Sequence, residues 1–313
     1  MSRSILLDTD IGSDVDDALA LGLILAHPRA LDLVAVTTLG GDAHLAARIA
    51  ASLLALGGRA DVEVAVGASG PLLRAHGFNA FGHEEKCIVP GAAAPIVDEG
   101  AAERIVRASH EVRDLELVLV GPMTNAANAL ALDPGLPSRV AGITVMGGHV
   151  RAAHIGDFEC PWGIDYNLCI DPEASMAVLG AGFRTTLITA DVTLATWLRS
   201  ADVEQLAASG PLARALALQV GLWAPLQRAI FTGMGGTLAD DNVSFLHDPL
   251  TVLALIDEAE LVMEDLTIVP TIQGGVFRTI ESPDARLGSP MRVATAVNAG
   301  AASRRIANAL ATL

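Results

Sequence analysis

Lysine is nearly missing from this chain: Lys86 is the one example in 313 residues. All 20 basic residues stand against 36 acidic ones, for a formal net charge of −16. A surface of that sign repels a polyphosphate backbone, and no basic run offsets it. Nucleic acid and anionic membrane surfaces are therefore not expected as partners. Long apolar runs are missing as well, since no stretch approaches the roughly 18 residues of a membrane span. The first residues, MSRSILLDTD, carry too short an apolar run for a secretory signal. Cysteine is scarce, with Cys87, Cys160 and Cys169 at irregular spacing and no CxxC pair. That usage reads as free thiols in a reducing compartment, so a cytoplasmic location is expected.

What the chain does contain is 51% hydrophobic and 18% charged residues, with 4% aromatics and 30 glycines. It is too apolar to be disordered and too varied to be fibrous. Short apolar runs alternate with Ala/Leu-rich segments at helical spacing. ILLD near residue 5, LDLVAVTT (31–38), VEVAVG (62–67), LELVLVG (115–121), VAGITVMGG (140–148) and RTTLIT (184–189) read as strands. Helices are expected from about Asp16 to Ala26 and over 44–56. The repetition predicts an α/β fold: an open, mostly parallel sheet with helices on both faces, in a single domain over residues 1–313. The strand runs are apolar throughout, as two buried faces require. Two stretches break the pattern: 67–95, which carries HGFNAFGHEEK, and 231–246. Loops of that length inside a compact domain are usually functional. A strand pair near 263–270 and 291–297 and a last helix from Ala299 are expected to cap the sheet.

The densest chemistry lies in DTDIGSDVDDALAL, residues 8–21. Asp8, Asp10, Asp14, Asp16 and Asp17 fall where the first strand ends and the first helix begins, the edge at which open α/β sheets bind ligands. Asp14 as a helix cap, with Asp16 and Asp17 complementing the helix dipole, explains one or two acids, not five. Like charges this close destabilise one another unless a cation neutralises them. All-oxygen donors without cysteine or paired histidine favour Ca²⁺ or Mg²⁺ over zinc. Side chains 8 and 10 of an extended segment are expected to point the same way, with Gly12 turning the chain so that 16 and 17 approach. Two enzyme classes use such an edge. Aspartyl phosphotransferases need a downstream lysine on the phosphate, and the lone Lys86 counts against them. Glycosyl transfer or hydrolysis suits carboxylates around a sugar cation.

DTDIGSDVDDA resembles the acidic signature of the calcium-dependent nucleoside hydrolases, the inosine–uridine preferring family, in the variant with two extra residues before the final Asp pair. TTLGGD (37–42), GPMTNAANAL (121–130), VMGGHV (145–150), DYNLCIDPEA (165–174) and LHDPL (246–250) are similar to further family segments, in order and at similar separations. The resemblance covers residue 5 to about 258. It implies hydrolysis of the N-glycosidic bond of purine or pyrimidine ribonucleosides to free base and ribose. Asp10, Asp17, the Thr124 backbone carbonyl and Asp248 are the implied Ca²⁺ ligands. Asp16, Asp42, Asn167 and Asp248 are the implied ribose contacts, with Asp165 where the family usually has Glu. Asp10 is also the implied base for a calcium-held water. His247 matches the histidine that stabilises the leaving base in the inosine–uridine group.

Other residues carry weaker signals. His83, in GHEE, is weighed evenly between a second base-side contact and an ordinary solvated imidazole. His149 reads as structural. Asn125 and Asn128 suit a helix start as well as a substrate. Trp223, Gln227 and Arg228 lie on a helix and would form a lid over the base or plain core. Phe78 and Phe81 are loop residues positioned to pack on a base. The loop HIGDFECPWGIDYN lacks the family's usual Asn, leaving Asp157 or Glu159 as its replacement and a modified ribosyl substrate as an option. Two other functions stay open: a calcium-dependent ribosyl-binding protein without turnover, and a metal phosphohydrolase. The family implies a homodimer or homotetramer.

Overall fold

The computed structural model describes residues 2–73 and 77–313, so the stretch 67–95 is described apart from residues 74–76. The apolar runs form β1 (Arg3–Thr9), β2 (Leu31–Thr38), β3 (Glu63–Val66), β4 (Ile96–Val97), β5 (Glu116–Leu119) and β6 (Gly142–Met146). Two short strands, β7 (His154–Ile155) and β8 (Phe158–Glu159), make a small hairpin before β9 (Thr185–Ile188). Then come β10 (Trp197–Arg199), β11 (Asn242–Phe245), β12 (Leu261–Gln273), β13 (Val276–Glu281) and β14 (Ser289–Val297). Ten of these build one sheet in the order β13-β12-β14-β9-β6-β5-β1-β2-β3-β4. From β14 to β4 every neighbouring pair is parallel. β12 runs antiparallel to both β14 and β13.

The connecting helices are α1 (Asp16–Ala26), α2 (Ala43–Leu56), α3 (Ala101–Glu111), α4 (Thr124–Leu132), α5 (Leu136–Arg139) and α6 (Tyr166–Ile170). They continue with α7 (Pro172–Leu179), α8 (Ala190–Thr193), α9 (Ser200–Ala207), α10 (Pro211–Gly233), α11 (His247–Ile256) and α12 (Ala299–Leu310). Alternation along β1 shows how the layers divide. Ile5 and Leu7 pack with α1, α2, α10, α11 and α12, while Leu6 faces α3, α4 and α7 across the sheet. All three side chains are fully buried, each contributing roughly 1.5–3 kcal/mol. Helix α1 is apolar around most of its circumference because it is wedged between the sheet and α11, with nine of its eleven residues buried.

The carboxyl segment departs from expectation. Instead of capping the sheet, β12 and β14 extend it, and β13 adds an outer strand. Gly274 and Gly275, both at positive φ, supply the tight turn that returns the chain from β12 to β13. Among the described residues no helix is long and apolar enough to cross a membrane. The functional consequence of the topology is at one edge. Thr9, Thr38, Leu119, Met146 and Ile188 end five adjacent parallel strands side by side, and the loops that follow them converge.

Candidate active site

Asp10 is the first residue beyond β1, and Val120 the first beyond β5; Met146 closes β6, and Ala190 opens α8 behind β9. All four line one cavity of about 280 Å³ at this edge. Gly12, at φ +118°, reverses the chain after Asp10, so that Asp14, Asp16 and Asp17 also line it. Asp248 arrives from the start of α11, 232 residues later, and its N–H donates to Asp16 Oδ2 at 3.4 Å. Carboxylate oxygens of Asp16, Asp17 and Asp248 lie within 4.8 Å of one another.

Burial and mutual repulsion dominate the electrostatics here. Burial, then the charges of Asp10 and Asp16, hold Asp17 well above the usual carboxylate range. Burial and the four neighbouring aspartates do the same to Asp248. Burial, with Asp16 next, pushes Asp10 up to about 7, and Asp16 itself stands at about 6. No Arg or Lys pairs with these acids among the described residues. Relief comes from hydrogen-bond donors: Thr9 Oγ1 donates to Asp17, and the Val15 N–H donates to Asp14 Oδ1 at 2.6 Å. Both α1 and α11 also begin here, and their amino ends place positive partial charge toward the cluster. Asp14 accepts from the Asp16 N–H as well, at 3.3 Å, although the N-cap of α1 is Val15 and not Asp14. Three crowded, buried carboxylates without a cationic partner form an all-oxygen donor set that fits a hard divalent ion.

The polar wall continues with Asp165 and Asn167. The Asp165 carboxylate caps α6 by accepting from the Leu168 N–H at 3.0 Å, while its Oδ1 is buried without a partner. Burial pushes Asp165 up to about 6. The Asn167 amide donates to the Val120 carbonyl at 2.7 Å and the Met146 carbonyl at 3.3 Å, which ties the side chain to the ends of β5 and β6. Much of the remaining lining is apolar: Phe81, Ile164, Leu194, Trp223, Ile230, Phe231 and Met234. Phe81 meets Trp223 edge-on, with ring centroids 5.3 Å apart. His247 also lines the cavity, held by a 2.6 Å contact between its Nδ1 and Thr193 Oγ1. Burial lowers its pKa to about 4, so the ring is neutral at physiological pH.

The structure does not bring every expected residue here. Asp42 is exposed, lies outside the cavity lining, and caps α2 by accepting from the Leu45 N–H at 2.9 Å. Asp8 does not share the direction of Asp10, because β1 ends at Thr9 and strict alternation ends with it. Its carboxylate is buried in the sheet and accepts from Thr37 Oγ1 at 2.5 Å and Asn125 Nδ2 at 2.8 Å. Asn125 is thus a structural brace rather than a helix cap. Thr124 opens α4, buried, with its hydroxyl donating to Asp171 Oδ2 at 2.6 Å. His83 is buried behind the lining, 6.1 Å from Trp223 between ring centroids, and backs the Phe81–Trp223 pair. His149 stacks on Trp162 at 4.4 Å, away from the cavity. Gln227 is core: it donates to Asn242 Oδ1 at 3.0 Å and accepts from the Phe245 N–H at 2.7 Å. Arg228 donates to the carbonyls of Ala239, Asp240 and Asn242, fastening α10 to the loop after it.

Sequence reasoning passed over Tyr166, whose hydroxyl accepts from the Asn79 N–H at 2.9 Å, and the Ile230–Phe231–Met234 wall. The signal was there: positions 223, 230, 231 and 234 fall on one helical face.

The sequence model of the inosine-uridine preferring nucleoside hydrolases matches residues 5–304. The chain belongs to this family. A pyrimidine-specific ribonucleoside hydrolase, RihA, from Shewanella sp. (strain MR-7) is 33% identical over 267 residues, covering 83% of this chain and 79% of its own. The RihA of Enterobacter sp. (strain 638) is 32% identical over 270 residues, covering 82% and 80%. Among solved structures, a purine-preferring ribonucleoside hydrolase from Gardnerella vaginalis superposes with a TM-score of 0.82 at 25% identity, covering 99% of this chain and 98% of that one. This nucleoside hydrolase is therefore an enzyme acting on N-glycosyl compounds, and its family implies a small-molecule nucleoside substrate.

Proposed function

We propose that the enzyme hydrolyses purine and pyrimidine ribonucleosides to free base and ribose at the cavity bounded by Asp10 and His247. The observation that carries this is one cavity whose lining combines an acidic part with an apolar, aromatic part and a histidine that burial keeps neutral. Ribose fits the first part and a nucleobase the second. We assign Asp10, Asp17, the Thr124 backbone carbonyl and Asp248 to Ca²⁺. The crowding of Asp16, Asp17 and Asp248 supports a hard ion at that end. Bound there, calcium would offset the carboxylate charge and make a neighbouring water easier to deprotonate.

The chain's own residues then divide the work. Asp10, which lines the cavity with Asp16 and Asp17, is the carboxylate placed to accept the proton of the attacking water. Asp16, Asp165 and Asn167 face the ribose hydroxyls, the last with its amide nitrogen already committed to backbone carbonyls. The negative wall favours positive charge developing at C1′ as the glycosidic bond breaks. His247, kept neutral by burial, donates a hydrogen bond to the departing base. The apolar wall holds bases by shape and stacking, and such walls discriminate weakly between related groups. That supports a range spanning purines and pyrimidines, with relatives described as pyrimidine-specific in one case and purine-preferring in another. We further propose that the chain works as one domain in a cytoplasmic homodimer or homotetramer, in keeping with its free cysteines.

The test is incubation of the purified protein with a panel of ribonucleosides, with calcium and after chelation, following free ribose and free base. Calcium-dependent release from uridine or inosine is expected, and Asp10→Asn, Asp17→Ala and Asp248→Ala abolish it. Full activity in those variants would refute the site, and nucleoside binding without any release would point to a binding protein.

A further inference from the structure

His247 has two ring nitrogens, and only the one bearing a proton can donate to a departing base. Which one bears it is decided by what the other touches. Nδ1 lies 2.6 Å from Thr193 Oγ1. The hydroxyl has a single proton and two acceptors in reach, Nδ1 at 2.6 Å and the Ala190 carbonyl at 3.5 Å. The shorter contact takes it, because 2.6 Å lies within the range of hydroxyl donors (about 2.5–3.0 Å) and inside that of N–H donors (about 2.7–3.2 Å). Nδ1 is then the acceptor, and the ring's own proton sits on Nε2.

From this geometry we infer that Thr193 is a positioning residue for catalysis, its hydroxyl fixing His247 as the Nε2–H tautomer that donates to the leaving base. The inference rests on the assignment of His247 to the base in the preceding section. Thr193 is well built for the task. It is fully buried at the end of α8, directly behind β9. Its N–H donates to the Thr189 carbonyl at 3.0 Å, and its own carbonyl accepts from the Thr196 N–H at 2.9 Å. The Thr196 hydroxyl donates to the same carbonyl at 2.9 Å. With its backbone held on both sides, the hydroxyl cannot follow a moving ring. The ring in turn is carried by the first residue of α11 and leans on Phe245, 5.4 Å away between centroids. Orientation and tautomer are therefore set jointly by α8 and α11, which carry the two partners.

The test compares wild type, Thr193→Val and Thr193→Ser on uridine, inosine and p-nitrophenyl β-D-ribofuranoside, whose phenolate leaves without a donor. Valine keeps the shape and removes the hydroxyl; serine keeps the hydroxyl. With Thr193→Val, kcat on both nucleosides is expected to fall about tenfold or more, a part of what a positioned proton donor contributes. KM stays within about threefold, as does kcat on the nitrophenyl riboside, and Thr193→Ser restores nucleoside turnover. An equal fall on all three substrates would show a merely structural role, and no fall would show no role; either overturns the inference. A nitrogen NMR spectrum of histidine-labelled wild type reads the tautomer without any substitution. A proton on Nδ1 overturns the inference even if every variant misfolds. Wild-type protein that cleaves none of the three substrates refutes the hydrolase site itself, and the spectrum separates that failure from failure of the Thr193 contact.

Discussion

Gly121 sits where β5 gives way to the cavity, and its lack of a side chain is what lets Asp10 occupy its place. A Cβ there would lie 2.8 Å from Asp10 Oδ1, 3.0 Å from the Asp10 backbone nitrogen and 3.2 Å from Leu39 Cδ2. The first of these falls roughly half an ångström inside ordinary non-bonded separation. A carboxylate alone could swing aside, but the backbone contact means that the loop carrying Asp10 must move with it. Overpacking of this kind costs about 1–3 kcal/mol of stability. The larger effect falls on the chemistry, where displacement of a reacting group by about 1 Å costs on the order of 100-fold. Gly121→Ala is therefore expected to lower kcat on uridine or inosine by about 10- to 100-fold while the protein remains folded. Gly70→Ala is the control, since an added methyl there meets nothing within 4 Å. The measurements are steady-state ribose release and urea melts on both variants. A Gly121→Ala protein that loses stability yet turns over at the wild-type rate would refute Asp10 as the base. One unchanged in both respects would refute the packing around it.

Two further predictions concern buried polar groups. Asp165 stands at about 6 in the fold against 3.8 in the unfolded chain, so folding favours its neutral form. The resulting burden is absent below pH 3.8, grows between 3.8 and about 6, and is complete above that, where it amounts to about 3 kcal/mol. Asp165→Asn should therefore stabilise the protein at pH 8 and by roughly half as much at pH 5, while losing ribose recognition. Equal urea-melt gains at the two pH values would show that Asp165 is not held neutral. Asn125→Ala removes the bonds to Asp8 Oδ1 and the Thr38 carbonyl and the one accepted from the Ala68 N–H. About 3 kcal/mol of destabilisation is expected, at roughly 1 kcal/mol per bond with a further cost for stranded partners. A loss below about 1 kcal/mol would mean that water replaces the amide.

The frame of the molecule was legible because its central strands are buried on both faces. LDLVAVTT reads as a strand and is one, over the same residues, 31–38. Strand ends were drawn too long where an apolar run continues past the strand: 115–121 contracts to 116–119, and Val120, whose N–H still donates to the Asp8 carbonyl at 2.9 Å, already lines the cavity. Hydrophobicity records burial, and a strand interior and a cavity wall are equally buried. The acidic turn was legible as a cluster because chain-local spacing fixes it, and LHDPL as its distant partner through family resemblance. Asp8 was misread because alternation holds only as far as the strand does. The capping of α2 by Asp42 was not legible, because a carboxylate before a helix suits a cap as well as a sugar. The Phe231–Met234 wall escaped notice for a different reason: a stripe on one side of a helix looks the same whether it packs on protein or on a ligand.

The bond between the Asp248 N–H and Asp16 Oδ2 joins residues 232 positions apart. During synthesis the acidic turn leaves the ribosome long before its last partner exists, by roughly 10–50 seconds at ordinary elongation rates. For that interval the sheet can begin to assemble, but the acids face one another without the amino end of α11. A chain stalled or cleaved just before Asp248 would therefore carry β1–β11 without the partner that completes the acidic cluster. Closing the site across such a span makes catalytic competence a late event in folding, and turnover a direct report that the start of α11, which opens the last fifth or so of the chain, has docked.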